Sequence, residues 1–177
     1  LKPEKINLPN VFTTQRNGGI KTIFTHNNNE FALISSSKTN CFYASIVLLE
    51  NGKEIFKTKC LNETKKMTDF NGLGSSNIHY NDKILLSIGA PEQGSSKIRA
   101  LAQDNSSMYG KILEIDKMDL DKIIFNEKSN LALKIFTSGH RNPQGITKIN
   151  ESFFSVEHGP KGGDELNKLI KDKNYGW

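Results

Sequence analysis

The chain has 177 residues, with 24 Lys and Arg against 19 Asp and Glu, for a net charge of +5. That length is one domain able to bury most of its apolar surface, and no apolar run approaches the ~20 residues of a membrane helix. The cations are nearly all lysine, with only Arg16, Arg99 and Arg141 besides; scattered lysines such as Lys53, Lys57, Lys59, Lys83, Lys111 and Lys134 fit the solvent faces of strands, not the clustered basic face that binds nucleic acid.

Leu1 to Asn10, with Pro3 and Pro9, is an extended lead-in. Short β-type runs follow at Gly19 to Thr25, Glu30 to Ser35, Cys41 to Leu49 and Glu54 to Lys59. Asn27-Asn28-Asn29 and Asn51-Gly52 mark the turns, the second a strong hairpin signal. That hairpin brings Cys41 and Cys60 nearly opposite each other. Either a cross-strand disulfide, implying an oxidising compartment, or two buried thiols would satisfy the pattern.

Thr64 to Ser76 is a loop with Gly72 and Gly74. Strands resume at Asn77 to Tyr80 and Ile84 to Ile88, and a long polar excursion occupies Ala90 to Met108. Lys111 to Ile115 and Leu131 to Thr137 are strands bracketing a connection with Asp119 and Asp121. Ile146 to Ile149 and Ser152 to Val156 form a hairpin around Asn150-Glu151, and Leu166 to Ile170 is expected to be a short helical turn. Short strands at even spacing indicate an all-β sandwich, barrel or propeller.

The richest chemistry lies in the last forty residues. Gly139-His140-Arg141-Asn142-Pro143-Gln144-Gly145 supplies a planar cationic fork and two amides. Glu157-His158-Gly159-Pro160-Lys161-Gly162-Gly163-Asp164-Glu165-Leu166-Asn167 combines a backbone able to turn its carbonyls towards a cation with hard carboxylate oxygens. The chain closes on Asn174-Tyr175-Gly176-Trp177.

These three strings, in this order, resemble the soluble pyrroloquinoline-quinone (PQQ) sugar dehydrogenases, the glucose/sorbosone dehydrogenase family. Ala102-Gln103-Asp104 and Gly110-Lys111-Ile112-Leu113-Glu114-Ile115-Asp116 extend the likeness, which runs from about Asp69 to Trp177. The resemblance implies an all-β propeller of four-stranded antiparallel blades, with residues 1–65 a divergent N-terminal blade and 66–177 the sugar-dehydrogenase-like part. The strands number about two and a half blades of a six-bladed fold, so a partial propeller is expected, with self-association through its open edges.

Carried over residue by residue, the resemblance makes Arg141 and Asn142 contacts to PQQ, a planar tricarboxylate, with Gln144 in support. It makes the carbonyls of Gly159 and Pro160 ligands of the activating calcium, and places a further calcium site at Glu165 and Tyr175. It implies oxidation of an aldose at C1 in a periplasmic or secreted setting, with a sugar as partner and neither nucleic acid binding nor membrane insertion. The family's catalytic histidine falls on Asn71 or Gly72, and its associated arginine on Ser75 or Ser76, none of which can take the hydroxyl proton. Ala90 stands where relatives carry an aspartate after the strand's glycine. His79 is the nearest substitute imidazole, His26 is expected in a turn, and His140 and His158 in loops. Two readings follow: a quinoprotein sugar dehydrogenase, with this chain inactive by itself, or a non-catalytic, calcium-stabilised propeller module that binds a saccharide or a protein.

Overall fold

The computed structural model describes residues 6–8, 10–11, 18–39, 41–61, 73–91 and 96–177. The expectations at Asn71, Gly72 and Arg16 lie outside these residues.

Eleven strands form three antiparallel sheets among the described residues. The first is β1 (Ile20–His26), β2 (Asn29–Lys38), β3 (Cys41–Leu48) and β4 (Lys53–Lys57), each paired with the next in sequence. The second repeats that meander with β5 (Asn77–Tyr80), β6 (Lys83–Ile88), β7 (Lys111–Asp116) and β8 (Leu133–Ser138). The third holds β9 (Pro143–Ile149), β10 (Ser152–Glu157) and β11 (Glu165–Leu169). Asparagine makes these tight meanders possible. Asn27, Asn28, Asn81 and Asn150 occupy hairpin turns at φ of 47°, 59°, 46° and 52°, a left-handed conformation that asparagine tolerates better than most side chains.

Successive sheets pack face to face. Phe24, Phe31, Leu33 and Ile46 of the first sheet meet Ile84, Leu86, Leu113 and Ile115 of the second in the main buried cluster. Strand alternation sends Leu85 and Ile112 to the opposite face, where they join Phe136, Ile146 and Leu169 between the second and third sheets. Phe153 stands edge-on to Tyr80 and Phe136, with ring centroids 4.9 and 6.2 Å away, across the same seam. The first strands of the three sheets are also tied together. Asn77 donates to Thr22 Oγ1 and the Ile23 carbonyl, and the Ile146 amide donates to Ser76 Oγ. This is a partial β-propeller, as the strand spacing and the motifs implied.

Two local expectations are corrected, and one connection is given its form. Leu166 to Ile170 is not helical: Glu165–Leu169 is the outer strand β11, with Leu169 buried and Leu166 exposed. The connection carrying Asp119 and Asp121 is the helix α2 (Lys117–Ile124); the Asp116 side chain caps it by accepting from the Met118 amide, and Leu120 and Ile123 anchor it in the core. Lys111 is not on a solvent face but fully buried. The excursion before β7 contains the single-turn helix α1 (Ser96–Arg99), running into a 3₁₀ turn at Ala100–Ala102.

Cys41 and Cys60 are joined in a disulfide, which settles the question that the hairpin left open. The bond closes a loop with a sequence separation of 19 residues. For a loop of that length, reduction is expected to cost about 3 kcal/mol, seen as a lower melting temperature in reductant and no change in a Cys41→Ala, Cys60→Ala double variant.

Candidate functional site

Three segments converge at one end of the third sheet: the turn after β8, the loop from β10 to β11, and the last five residues. The C-terminal segment is laid against the first by backbone bonds. Tyr175 N donates to Ser138 O at 2.9 Å, and Trp177 N donates to Gly139 O at 3.0 Å. Gly139 is obligatory in this contact: it sits at φ 74°, and a Cβ there would overlap Asn174 and the backbone of Gly176. Gly159 is equally constrained, because a Cβ on it would overlap the Gly163 carbonyl. Its amide donates to Asp164 Oδ1 at 3.0 Å, closing the loop upon itself.

A cavity of about 160 Å³ lies between the segments, lined by Arg141, Gly159, Pro160, Glu165, Tyr175 and Trp177 among others. The Arg141 guanidinium lies 5.2 Å from the Trp177 ring centroid, and its Nη1 donates to the His158 carbonyl. Glu165 Oε2 accepts from Asn167 at 3.0 Å. The Tyr175 hydroxyl donates to Lys168 O at 2.5 Å and accepts from Ile170 N at 2.9 Å, so the ring is docked on β11. Among the described residues, no three His, Cys, Asp or Glu side chains gather as a metal cluster. A hard cation here would draw on carbonyl oxygens together with Glu165.

Five of the seven residues expected at the site therefore share one cavity, while Asn142 and Gln144 do not. They line a separate polar cavity of about 280 Å³ with Ile20, Lys21, Leu73, Gly74 and Ser75. Asn142 is buried and accepts the Gly74 amide at 2.8 Å. It thus ties the segment just before β5 to the head of β9. The chain bends at Arg141, and its side chain and that of Asn142 enter different cavities.

Beneath the first cavity lies a buried polar chain that the sequence analysis did not assign. His140 Nδ1 is 2.5 Å from Glu157 Oε1, and His140 Nε2 is 2.7 Å from Thr137 Oγ1. The imidazole stacks on Tyr175, with centroids 4.8 Å apart. Glu157 also accepts from Ser155 at 3.1 Å, Asn167 at 3.2 Å and the Arg141 amide at 3.2 Å. Burial pushes the Glu157 carboxyl up, but His140 and the Ser155 and Asn167 donors outweigh it and hold the group below the usual glutamate range. The signal for Glu157 was available in the alternation of β10, where Phe153, Ser155 and Glu157 share the inward face.

The other histidines are placed elsewhere. His26 ends β1 and is bonded to Asp121 at 2.7 Å, so it links the first sheet to α2. His79 is exposed on β5; burial, then the charges of Lys117 and His26, lower its pKa. The amide of Ala90 donates to the Arg141 carbonyl at 2.7 Å, so that position acts through its backbone.

The family model for glucose/sorbosone dehydrogenase matches residues 4–177. Aldose sugar dehydrogenase YliI of Escherichia coli is 38% identical over 88 residues, covering 48% of this chain and 24% of that protein. Quinoprotein glucose dehydrogenase B of Acinetobacter calcoaceticus is 35% identical over 79 residues, or 42% and 16% of the two chains. An uncharacterized protein of Synechocystis is 39% identical over 85 residues, or 45% and 20%. A crystal structure of a glucose dehydrogenase superposes with a TM-score of 0.71 at 20% identity, covering 99% of this chain and 54% of that one. A second glucose dehydrogenase structure gives 0.70 at 21%, covering 98% and 57%. The chain therefore spans about half the length of the structures whose fold it shares, and its matches reach no more than a quarter of the curated relatives' length. With the family pattern running through nearly all of its residues, the chain belongs to the glucose/sorbosone dehydrogenase family.

Proposed function

We propose that this chain carries the calcium-binding and anion-pairing part of the cofactor site in a sugar-oxidising quinoprotein. The supporting observation is the convergence of Arg141, Gly159, Pro160, Glu165 and Tyr175 on one cavity. The donor set fits calcium: a carboxylate, backbone carbonyls and a phenol are the hard oxygens it prefers. The fit to PQQ is to one end of it. A cavity of 160 Å³ is smaller than the ~300 Å³ of a typical small-molecule site, while a guanidinium over an aromatic face suits the edge of a planar polycarboxylate. In that reading Arg141 pairs with a carboxylate, Glu165 and the loop carbonyls of Gly159 and Pro160 hold the cation, and Asn142 and Gln144 serve from the neighbouring cavity. Bound together, PQQ and calcium supply a two-electron acceptor for oxidation of a sugar at C1.

The chain's own contribution to proton removal is the weak part of the chemistry, since the family's histidine position falls on Asn71 or Gly72. That substitution favours a second reading, a calcium-stabilised module that binds a saccharide or protein without oxidising it. The Cys41–Cys60 bond supports an oxidising, periplasmic or secreted location in either reading.

Calorimetric titration with PQQ, in calcium and then in chelator, separates them. Calcium-dependent binding that Arg141→Ala abolishes is the expected result. Calcium raising the melting temperature without any PQQ binding would replace the dehydrogenase reading by the binding module.

A further inference from the structure

The buried chain under the cavity is larger than a single structural hydrogen bond requires. Thr137 is on β8, His140 in the turn after it, Glu157 at the end of β10 and Tyr175 in the C-terminal segment. The end of β10 and the C-terminal segment, which both line the Arg141 cavity, thus reach the same imidazole, and β11 is tied in through the bond from Asn167 to Glu157. Thr137 and His140 are wholly buried, so neither can meet a substrate, while Glu157 edges the cavity and is 4% exposed. What they can do is fix geometry. A buried imidazole with both nitrogens bonded has its rotamer and its ring plane defined. The ring then presents one face for Tyr175 to stack on. Glu157 completes the frame by accepting the amide of Arg141, the residue whose guanidinium projects into the cavity.

We propose that His140 is the positioning residue of this site: held between Thr137 and Glu157 and stacked on Tyr175, it fixes the Arg141 turn, the Gly159 loop and the C-terminal segment in one arrangement. The value of that arrangement rests on the functional reading above, but its existence does not. Trp177 provides an independent reporter, because it is the only tryptophan in the chain and lies against the Arg141 guanidinium.

The test compares wild type with Thr137→Val, Thr137→Ser and His140→Ala, reading Trp177 emission, its quenching by acrylamide, and calcium affinity. Thr137→Val keeps the side-chain volume and deletes only the hydroxyl beside Nε2. It is expected to fold, to red-shift Trp177 and increase its quenching, and to weaken calcium roughly 10-fold, within the range for groups that orient ligands. Thr137→Ser restores the hydroxyl and is expected to match wild type, while His140→Ala is expected to exceed Thr137→Val in every readout. A folded Thr137→Val with wild-type Trp177 emission and quenching overturns the proposal, whether or not His140→Ala folds. If wild type itself binds neither calcium nor PQQ, the functional reading fails, and the Trp177 comparison still decides the positioning role.

Discussion

Gly159→Ala is expected to destroy cation binding at the site while leaving the fold standing. The methyl group would overlap the Gly163 carbonyl, a backbone group that cannot turn aside as a flexible side chain could. The 160–163 turn must therefore move, breaking the bond from the Gly159 amide to Asp164 and carrying the Pro160 carbonyl away from Arg141 and Glu165. Displacements of ~1 Å at reacting or binding groups cost about 100-fold, so calcium affinity should fall by that order. Pro160 to Gly162 contributes no buried residue, so the melting temperature without calcium should stay close to wild type. A Gly159→Ala chain that binds calcium as wild type does would remove this loop from the site. Gly162→Ala is a useful control, since a Cβ there meets nothing within 4 Å although its φ of 85° carries a modest backbone strain.

Lys111→Met should produce the largest loss of stability. The ammonium of Lys111 is buried at the start of β7 and donates to three carbonyls: Ala102 at 2.6 Å, Tyr109 at 3.0 Å and Leu101 at 3.1 Å. It is the pin on which the segment between α1 and β7 closes. Methionine fills the volume but donates nothing. Ala102 O keeps its bond from Gly139 N and Leu101 O its longer bond from Asp104 N, while Tyr109 O loses the lysine donor. Losing three charge-assisted bonds and stranding one buried carbonyl costs about 3–5 kcal/mol, or roughly 10 °C in melting temperature for a chain of this size. The pH dependence carries a second signature. Burial pushes this lysine down to about 8 from its ordinary 10.5, with Asp104 opposing. Between those values the unfolded chain binds a proton that the folded chain has released, so wild-type stability gains from this group as pH rises through the window and loses it as pH falls towards 8. Lys111→Met should lack that rise. Thermal melts from pH 7 to 10 measure both effects, and parallel curves for the two proteins would show that Lys111 does not titrate there.

The strands were legible because each carries its own pattern: apolar alternation ended by asparagine or glycine turns. Ten of the eleven could be placed to within a few residues on that basis. One misread segment and one left without a conformation show where local pattern fails. Leu166 and Ile170 stand four apart, as on one face of a helix, yet β10 recruits the segment as its outer partner and leaves both exposed. In α2 the opposite happened: eight residues with four charges look like a loop, and only the Asp116 cap with Leu120 and Ile123 three apart marks the helix. At the candidate site, Arg141, Gly159, Pro160, Glu165 and Tyr175 were singled out through their motifs, and their sharing one cavity is a tertiary fact. Asn142, adjacent in the motif, lines the neighbouring cavity, where its side chain accepts the Gly74 amide. The alternation of β10 turns Glu157 inward, but its partnership with His140 spans 17 residues and no local pattern announces that. Lys111 was assigned to solvent by residue type; only the closing of residues 100–110 over it supplies the three acceptors.

The unequal seams between the sheets set the order in which the molecule comes apart. Among the described residues, 18 buried side chains form the cluster joining the first two sheets, against five where the third sheet meets the second. The third sheet is therefore the least rooted unit, and transient detachment of β9 to β11 should require less free energy than global unfolding. Every loop of the candidate site is attached to that unit or presses on it. A ligand gripping Arg141, Glu165 and the Gly159 loop would then act as a clasp across the weak seam. Its imprint would be slowed amide exchange in β9 to β11, while the amides of β2, β3 and β6 kept the protection they already have.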